Sequence, residues 1–149
     1  MGLDDPTKKM SKSETDSQYH AVYLLDPPDV ARRKIMRAKT DSGREIRFSD
    51  EPERAGVNNL LQIYEVLSGT GSREAIEAHF EGKGYGALKA EVADLVVETI
   101  TPIRERYQEI REESGYLEKV LAYGAEKARA VADRTLQTVR ERVGFLHRL

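Results

Sequence analysis

The sequence of 149 residues contains no cysteine, which excludes disulfides, catalytic thiols and cysteine-ligated zinc or iron–sulfur centres. It also has no apolar run near the roughly 20 residues that a membrane-spanning helix needs, and its amino terminus lacks the apolar core of a signal peptide. Its histidines are isolated from one another at His20, His79 and His147. These absences predict a cytoplasmic protein that contacts no membrane and has no metal site of its own.

The chain has little net charge, −2 in total, so its overall field would attract neither nucleic acid nor a membrane surface. Any site for an anion must therefore come from local clustering. Hydrophobic residues make up 39% and charged residues 34%, which is typical of a folded, heavily charged helical protein. The length fits one domain or two small ones.

Apolar residues recur at helical spacing over most of the chain, which predicts a mainly α-helical fold. The predicted helices cover, in chain order, about residues 28–38, 57–69, 72–82, 85–110 and 117–144. Ser72 is a candidate N-cap, and Gly69 is a candidate stop for the helix before it. Pro102 lies inside the fourth pattern and should kink that helix or divide it in two.

The first 18 residues are almost all polar, which favours a loop with no apolar anchor in the core. The apolar stretch that follows, residues 20–26, favours a single short strand before the prolines at 27 and 28.

The most distinctive part of this loop is the pentapeptide "KMSKS". Lys9 and Lys12 carry two ammonium groups three residues apart, and these could close on a chain of phosphates. Serine hydroxyls and backbone N–H groups could complete the hydrogen bonding. A loop that holds the phosphates more tightly as a pyrophosphate leaves would lower the reaction barrier. A solvated lysine- and serine-rich tail is the alternative reading of the same five residues.

A second cationic cluster lies on the first predicted helix. Arg32, Arg33 and Arg37 could contact the phosphates of tRNA, because local cation density dominates such binding. An ordinary solvated helix face is the alternative.

Five segments together resemble the carboxy-terminal part of the bacterial tryptophanyl-tRNA synthetases, a family of class I aminoacyl-tRNA synthetases in which the pentapeptide is the second signature motif. The resemblance covers nearly the whole chain. The segments read "GLDDPTKKMSKS", "LLDPPDVARRKIMRAKTDSGREIRF", "AGVNNLLQIYEVLSG", "FEGKGYGALKAEVADLVVETITPIRERYQEI" and "GAEKARAVADRTLQTVRERVG".

This resemblance implies a loop that binds ATP and a division of the chain into two parts. Residues 1–50 would be the end of a Rossmann catalytic domain with the ATP loop and the basic helix, and residues 51–149 an α-helical bundle that binds the tRNA anticodon. The ATP-binding residues would be Lys9, Met10, Ser11, Lys12 and Ser13. Of these, Lys9 and Lys12 would act in catalysis.

The same resemblance implies the reaction and its partners. ATP, accompanied by Mg²⁺, would activate L-tryptophan, and the product would acylate tRNA(Trp). A homodimer is implied, and DNA is not a partner. The family's amino-terminal catalytic half, with its tryptophan pocket and HIGH-type motif, would precede Gly2, so we expect a carboxy-terminal fragment that is inactive alone. The alternatives are a stand-alone helical RNA-binding or assembly module and a charged helical bundle without either role.

Overall fold

The computed structural model describes residues 1–11, 17–113 and 115–144, and within these ranges the chain forms five α-helices and no strand. The helices are α1 (Pro28–Met36), α2 (Ala55–Ser68), α3 (Arg73–Phe80), α4 (Tyr85–Glu112) and α5 (Tyr116–Val143). A short 3-10 turn, Pro52–Arg54, leads into α2. The mainly α-helical fold predicted from the apolar spacing is confirmed.

The predicted cap at Ser72 and the predicted helix stop at Gly69 are both confirmed. The Ser72 hydroxyl accepts a hydrogen bond of 3.1 Å from the Ala75 N–H and so caps α3. Gly69 follows the last residue of α2 with a φ of 66°, a left-handed conformation that glycine adopts without strain. These two positions fix where α2 ends and α3 begins.

The fourth helix runs through Pro102 without being divided. Proline removes one backbone donor, which leaves the Glu98 carbonyl without its usual helical partner. Pro102 is on the exposed face, so water can satisfy that carbonyl. Val96 and Ile100, in the turns before it, are buried in the core and hold this part of α4 in place.

The chain divides into two compact units, Met1–Glu105 and Arg106–Leu149. The first unit contains an apolar core to which α1, α2, α3 and α4 all contribute. Its most deeply buried large side chains are Phe80, Leu3, Ile35, Leu60, Leu61, Ile76, Leu88, Val57 and Val92. The division between catalytic and tRNA-binding parts at residues 50 and 51 stays a prediction.

The amino-terminal segment corrects one expectation, that the first residues have no anchor in the core. Leu3 is only 1% exposed and belongs to the apolar core. Its N–H donates to the His20 carbonyl at 2.9 Å, and its own carbonyl accepts from the Lys39 N–H at 2.7 Å. A single buried leucine between polar neighbours produces no periodic pattern, and so the sequence gives no sign of it.

The expectation of a short strand at residues 20–26 is also wrong. The segment turns instead, since the Asp26 N–H donates to the Tyr23 carbonyl at 3.0 Å and the Asp26 carboxylate accepts from the Tyr23 N–H at 2.9 Å. Leu24 is 58% exposed and Leu25 44% exposed. Apolar side chains alone do not make a strand where no neighbouring strand offers hydrogen bonds.

The second unit contains the last turns of α4 and the whole of α5. The predicted long helix from Leu117 is confirmed as Tyr116–Val143, but none of its residues is buried. Its apolar side chains are therefore exposed, among them Val120, Leu121, Val131 and Val143. Across the described ranges, no helix combines the length and the low charge that crossing a membrane requires.

Candidate phosphate-binding segment

The chain between Gly2 and Ser11 has a defined backbone even though no helix or strand includes it. Asp5 organises a turn, because its carboxylate accepts hydrogen bonds from the Thr7 N–H at 3.1 Å and from the Thr7 hydroxyl at 2.6 Å. The Lys8 carbonyl then accepts from the Gly2 N–H at 2.7 Å. The buried Asn59 of α2 donates from its amide to the Gly2 carbonyl at 3.2 Å. The turn that precedes the pentapeptide is thus closed by the bond between Gly2 and Lys8, and its Gly2 end is tied to α2.

The first two residues of the pentapeptide face different surroundings. Met10 is half-buried and packs against the apolar core, whereas Lys9 is exposed. Among the residues that the structure describes, no carboxylate pairs with the Lys9 ammonium group, while the neighbouring Lys8 lies 3.6 Å from Asp5. The charge of Lys9 is therefore available to an incoming anion, and the methionine anchors the backbone that carries it.

The rest of the pentapeptide is described only in part. Ser11 is half-buried. The predicted ATP-binding residues Lys12 and Ser13 lie outside the described residues, so the structure brings together only Lys9, Met10 and Ser11. The assignment of the pentapeptide to ATP stays a prediction.

Behind Lys9 lies a buried histidine that sequence reasoning did not connect with the site. His20 is 4% exposed, and its Nε2 is 3.0 Å from the Lys9 carbonyl oxygen. Its Nδ1 is 2.6 Å from Asp4 Oδ1. A carbonyl oxygen can only accept, so Nε2 must carry a proton. The spacing of Asp4, Lys9 and His20 matches no regular period, which is why no pattern in the sequence indicates the cluster.

The acid of this cluster is ionised more easily than an ordinary aspartate. A hydrogen bond from the Ser17 side chain lowers the pKa of Asp4; burial opposes this effect, and the contact with His20 lowers the pKa further. An ionised Asp4 carboxylate is an acceptor for a hydrogen bond from Nδ1, 2.6 Å away. The pair is thus a short, charge-assisted contact at the base of the pentapeptide.

The arginines predicted to contact tRNA all lie on or just after α1, and each has a partner within the chain. Arg32 forms an ion pair with Asp94 of α4. Arg33 lies 3.0 Å from Asp29, one helical turn earlier. The Arg37 guanidinium stacks over the Tyr19 ring at 4.6 Å. These contacts do not prevent binding of phosphate, since the ion pairs are exposed and worth little, and the tRNA assignment stays a prediction.

A second hydrogen-bond network holds residues 41–47, which follow the Lys39 that bonds to Leu3. Tyr85 at the start of α4 donates its hydroxyl proton to Asp41 Oδ1 at 2.5 Å, and the Gly43 N–H donates to the same oxygen at 2.7 Å. Arg54 donates to the Glu45 carbonyl at 2.6 Å. Burial raises the pKa of Tyr85, with Asp41 adding to it, to about 12. This network fixes the chain at residues 41–47, just after the Lys39 that bonds to Leu3.

Two cavities offer alternatives to the exposed pentapeptide as a binding site. One of about 260 Å³ borders the segment and is lined by Asp5, Thr7 and Lys39 among others. Another of about 630 Å³ is lined by none of residues 2–11 and mixes Arg44, Arg47 and Lys83 with several glutamates. Such mixed charge favours neither an anion nor a cation. In the described ranges, no group of three histidine, aspartate or glutamate side chains could hold a metal ion.

Comparison with known proteins shows the family. The sequence model for "tRNA synthetases class I (W and Y)" matches residues 1–101. The chain therefore belongs to the class I tRNA synthetases of the tryptophan and tyrosine type.

Within that class the relatives are specific to tryptophan. The chain is 51% identical over 146 residues to a tryptophan–tRNA ligase of Wolinella succinogenes, and this match covers 98% of the chain and 43% of the relative. It is 49% identical to the tryptophan–tRNA ligase of Gloeobacter violaceus, covering 98% of the chain and 42% of that protein. The chain thus spans less than half the length of the curated relatives it matches, and the resemblance to tryptophanyl-tRNA synthetases is confirmed.

A solved structure agrees with this assignment. The tryptophanyl-tRNA synthetase of Campylobacter jejuni, crystallised with ADP and tryptophan, superposes with a TM-score of 0.76 at 26% identity. The match covers 97% of this chain and 43% of that protein. The helical arrangement is therefore that of the tryptophanyl family.

Proposed function

We propose that this chain is part of a tryptophan–tRNA ligase, which uses ATP to activate L-tryptophan and then transfers it to tRNA(Trp). The observation that carries the proposal is the exposed Lys9 ammonium group, which has no carboxylate partner among the described residues and stands on a backbone held by buried groups. The 51% identity to a tryptophan–tRNA ligase supports tryptophan as the amino acid that is activated. The activity belongs to the whole ligase, of which a chain of this length is about 43% in the relatives.

In the proposed first step, a carboxylate oxygen of tryptophan attacks the α-phosphorus of ATP. The bond from that phosphorus to the bridging oxygen breaks, and pyrophosphate leaves with the electron pair. Negative charge grows on the leaving phosphates, where Lys9 and Lys12 would stabilise it more strongly than in the ground state. Met10 would hold the loop, while Ser11 and Ser13 would donate hydrogen bonds to phosphate oxygens.

A magnesium ion would accompany ATP on its phosphates, where it neutralises charge. The described residues offer no group of three acidic or histidine side chains to hold such an ion without the nucleotide. The metal would thus be bound chiefly through the substrate.

The second step would transfer the tryptophanyl group to the terminal ribose of tRNA(Trp). We assign the helices within residues 51–149 to tRNA contact, together with Arg32, Arg33 and Arg37 of the basic helix. We further propose a cytoplasmic homodimer that does not bind DNA. A stand-alone RNA-binding module is not better supported, since the relatives that cover nearly the whole chain are tryptophan–tRNA ligases.

The test is tryptophan-dependent exchange of pyrophosphate into ATP by the full-length ligase that contains this segment. Lys9→Ala and Lys12→Ala should each lower kcat/KM for ATP by roughly 100-fold, the usual effect of removing a group that stabilises charge in the transition state. Lys8→Ala is the matched control, because it removes an adjacent lysine that is already paired with Asp5. Equal losses in all three variants, or none in Lys9→Ala and Lys12→Ala, would contradict the assigned roles.

A further inference from the structure

The buried His20 is the side chain that joins the start of the pentapeptide to the residues before it. His20 comes from the far end of the loop, and its two nitrogens reach two separate points at the near end. One point is the Asp4 carboxylate, and the other is the carbonyl oxygen of Lys9 itself. The ring therefore bridges the two ends of the segment that carries the pentapeptide.

We infer that His20, held in orientation by Asp4, is a positioning residue that sets the backbone of Lys9 and thereby the place of its ammonium group over the phosphates of ATP. The inference rests on the proposed function and names a residue that acts through another, since the ring contacts the Lys9 carbonyl and is itself buried.

The surroundings of the ring leave it little freedom to move. An added Cβ at Gly2 would lie 2.3 Å from His20 Cε1 and 2.8 Å from its Nδ1, so the ring packs directly on the glycine backbone. The His20 carbonyl accepts from the Leu3 N–H at 2.9 Å, which joins the histidine to the buried leucine. The ring is thus fixed on one side by packing and on two edges by hydrogen bonds.

The effect on catalysis follows from the population of the competent loop. Without the bond to the Lys9 carbonyl, the backbone there can take other conformations, and only the fraction with the ammonium group in place binds ATP productively. The apparent affinity for ATP falls by that fraction. The affinity for tryptophan should not change, because Lys9 acts on the phosphates of ATP and not on the amino acid.

The decisive variant is His20→Phe in the full-length ligase, which keeps a planar ring against Gly2 and removes both ring nitrogens that make the contacts. His79→Phe is the matched control: His79 also lies 2.6 Å from a carboxylate, that of Glu91, but it belongs to α3 and contacts no residue of the pentapeptide that the structure describes. Steady-state exchange kinetics should be measured separately against ATP and against tryptophan.

We expect His20→Phe to lower kcat/KM for ATP by roughly 10- to 100-fold, which corresponds to about 1.4 to 2.7 kcal/mol, with the KM for tryptophan unchanged. His79→Phe should leave both parameters as they are. Asp4→Asn is a milder second variant, because this side chain is partly exposed, and it should also lower kcat/KM for ATP. A loss of similar size for ATP and tryptophan, or unchanged ATP kinetics in Asp4→Asn and any folded His20→Phe protein, would overturn the inference.

A second readout separates this inference from the proposed function. Trypsin should cleave after Lys9 faster in nucleotide-free His20→Phe than in the parent or in His79→Phe, because local opening exposes the bond. Absence of exchange activity in the parent ligase would refute the proposed function. Faster cleavage of His20→Phe would in that case still show that His20 restrains the backbone at Lys9. Normal exchange in the parent with equal cleavage in all the proteins would refute the role of His20 alone.

Discussion

A glycine in the first turn of α2 offers a quantitative test of how the amino-terminal segment is held. Gly56 is the second residue of that helix, and a Cβ added there would lie 2.2 Å from the Lys39 carbonyl oxygen. An ordinary contact begins at 3.4 Å, so Gly56→Ala would force α2 and the backbone at Lys39 apart by about 1.2 Å. Because the Lys39 N–H also bonds to the Leu3 carbonyl, the displacement would reach the segment that carries the pentapeptide.

The cost of this overpacking is about 1–3 kcal/mol of unfolding free energy, reduced by up to about 1 kcal/mol because alanine is the better helix former. For a protein of this size each kcal/mol is worth about 2–4 °C in Tm, so a fall of several degrees is expected. Gly86→Ala is the matched control, since Gly86 is the second residue of α4 and an added Cβ there would meet nothing within 4 Å. Thermal unfolding of both variants decides the matter: a Tm for Gly56→Ala at or above that of Gly86→Ala would refute the close packing of α2 on Lys39.

Two further predictions concern the core and the acid side of the stability profile. Leu3→Ala should lower the unfolding free energy by about 2–5 kcal/mol because it empties a buried site, whereas Leu24→Ala, at a side chain 58% exposed, should change it little in the same urea titration. Burial alone would raise the pKa of Asp41, but the hydrogen bond from Tyr85 and the other contacts outweigh it and leave the pKa below 3.8. Asp41 therefore stabilises the fold above that pH and loses the contribution as the pH falls through the lower folded value, so the stability difference between the parent and Asp41→Asn should shrink on acidification below about pH 4. A difference that stays constant or grows in acid would contradict the sign of this shift.

The helices could be predicted well from the sequence because their causes are local. The 3.6-residue apolar period, the serine before α3 and the glycine after α2 each act over a few residues, and the observed helices begin and end close to the predicted positions. The pentapeptide also has a local signature, which is why the family could be recognised without coordinates. The prediction of a strand at residues 20–26 was wrong for a related reason. A strand needs a neighbouring strand to pair with, and a single stretch of sequence does not show whether one is present.

The candidate site was only half predictable. The sequence indicates Lys9 as a phosphate ligand, but it does not indicate that Met10 packs on the core or that His20 bonds to the Lys9 carbonyl. Prediction is limited in the same way for the basic helix. The sequence shows its arginines, but not that Arg32 pairs with an aspartate 62 positions away. Partners of this kind depend on how distant segments pack.

The sequence by itself determined the helical class, the helix limits and the tryptophanyl-tRNA synthetase family, since these follow from spacing and from short motifs. The tertiary structure alone decided that the amino-terminal segment is anchored. The anchors are Leu3, which is buried in the core, and Asn59, whose amide donates to the Gly2 carbonyl 57 positions away in the chain. The physical reason is that burial and hydrogen bonding between remote residues depend on distances in space, which no local period in the sequence encodes.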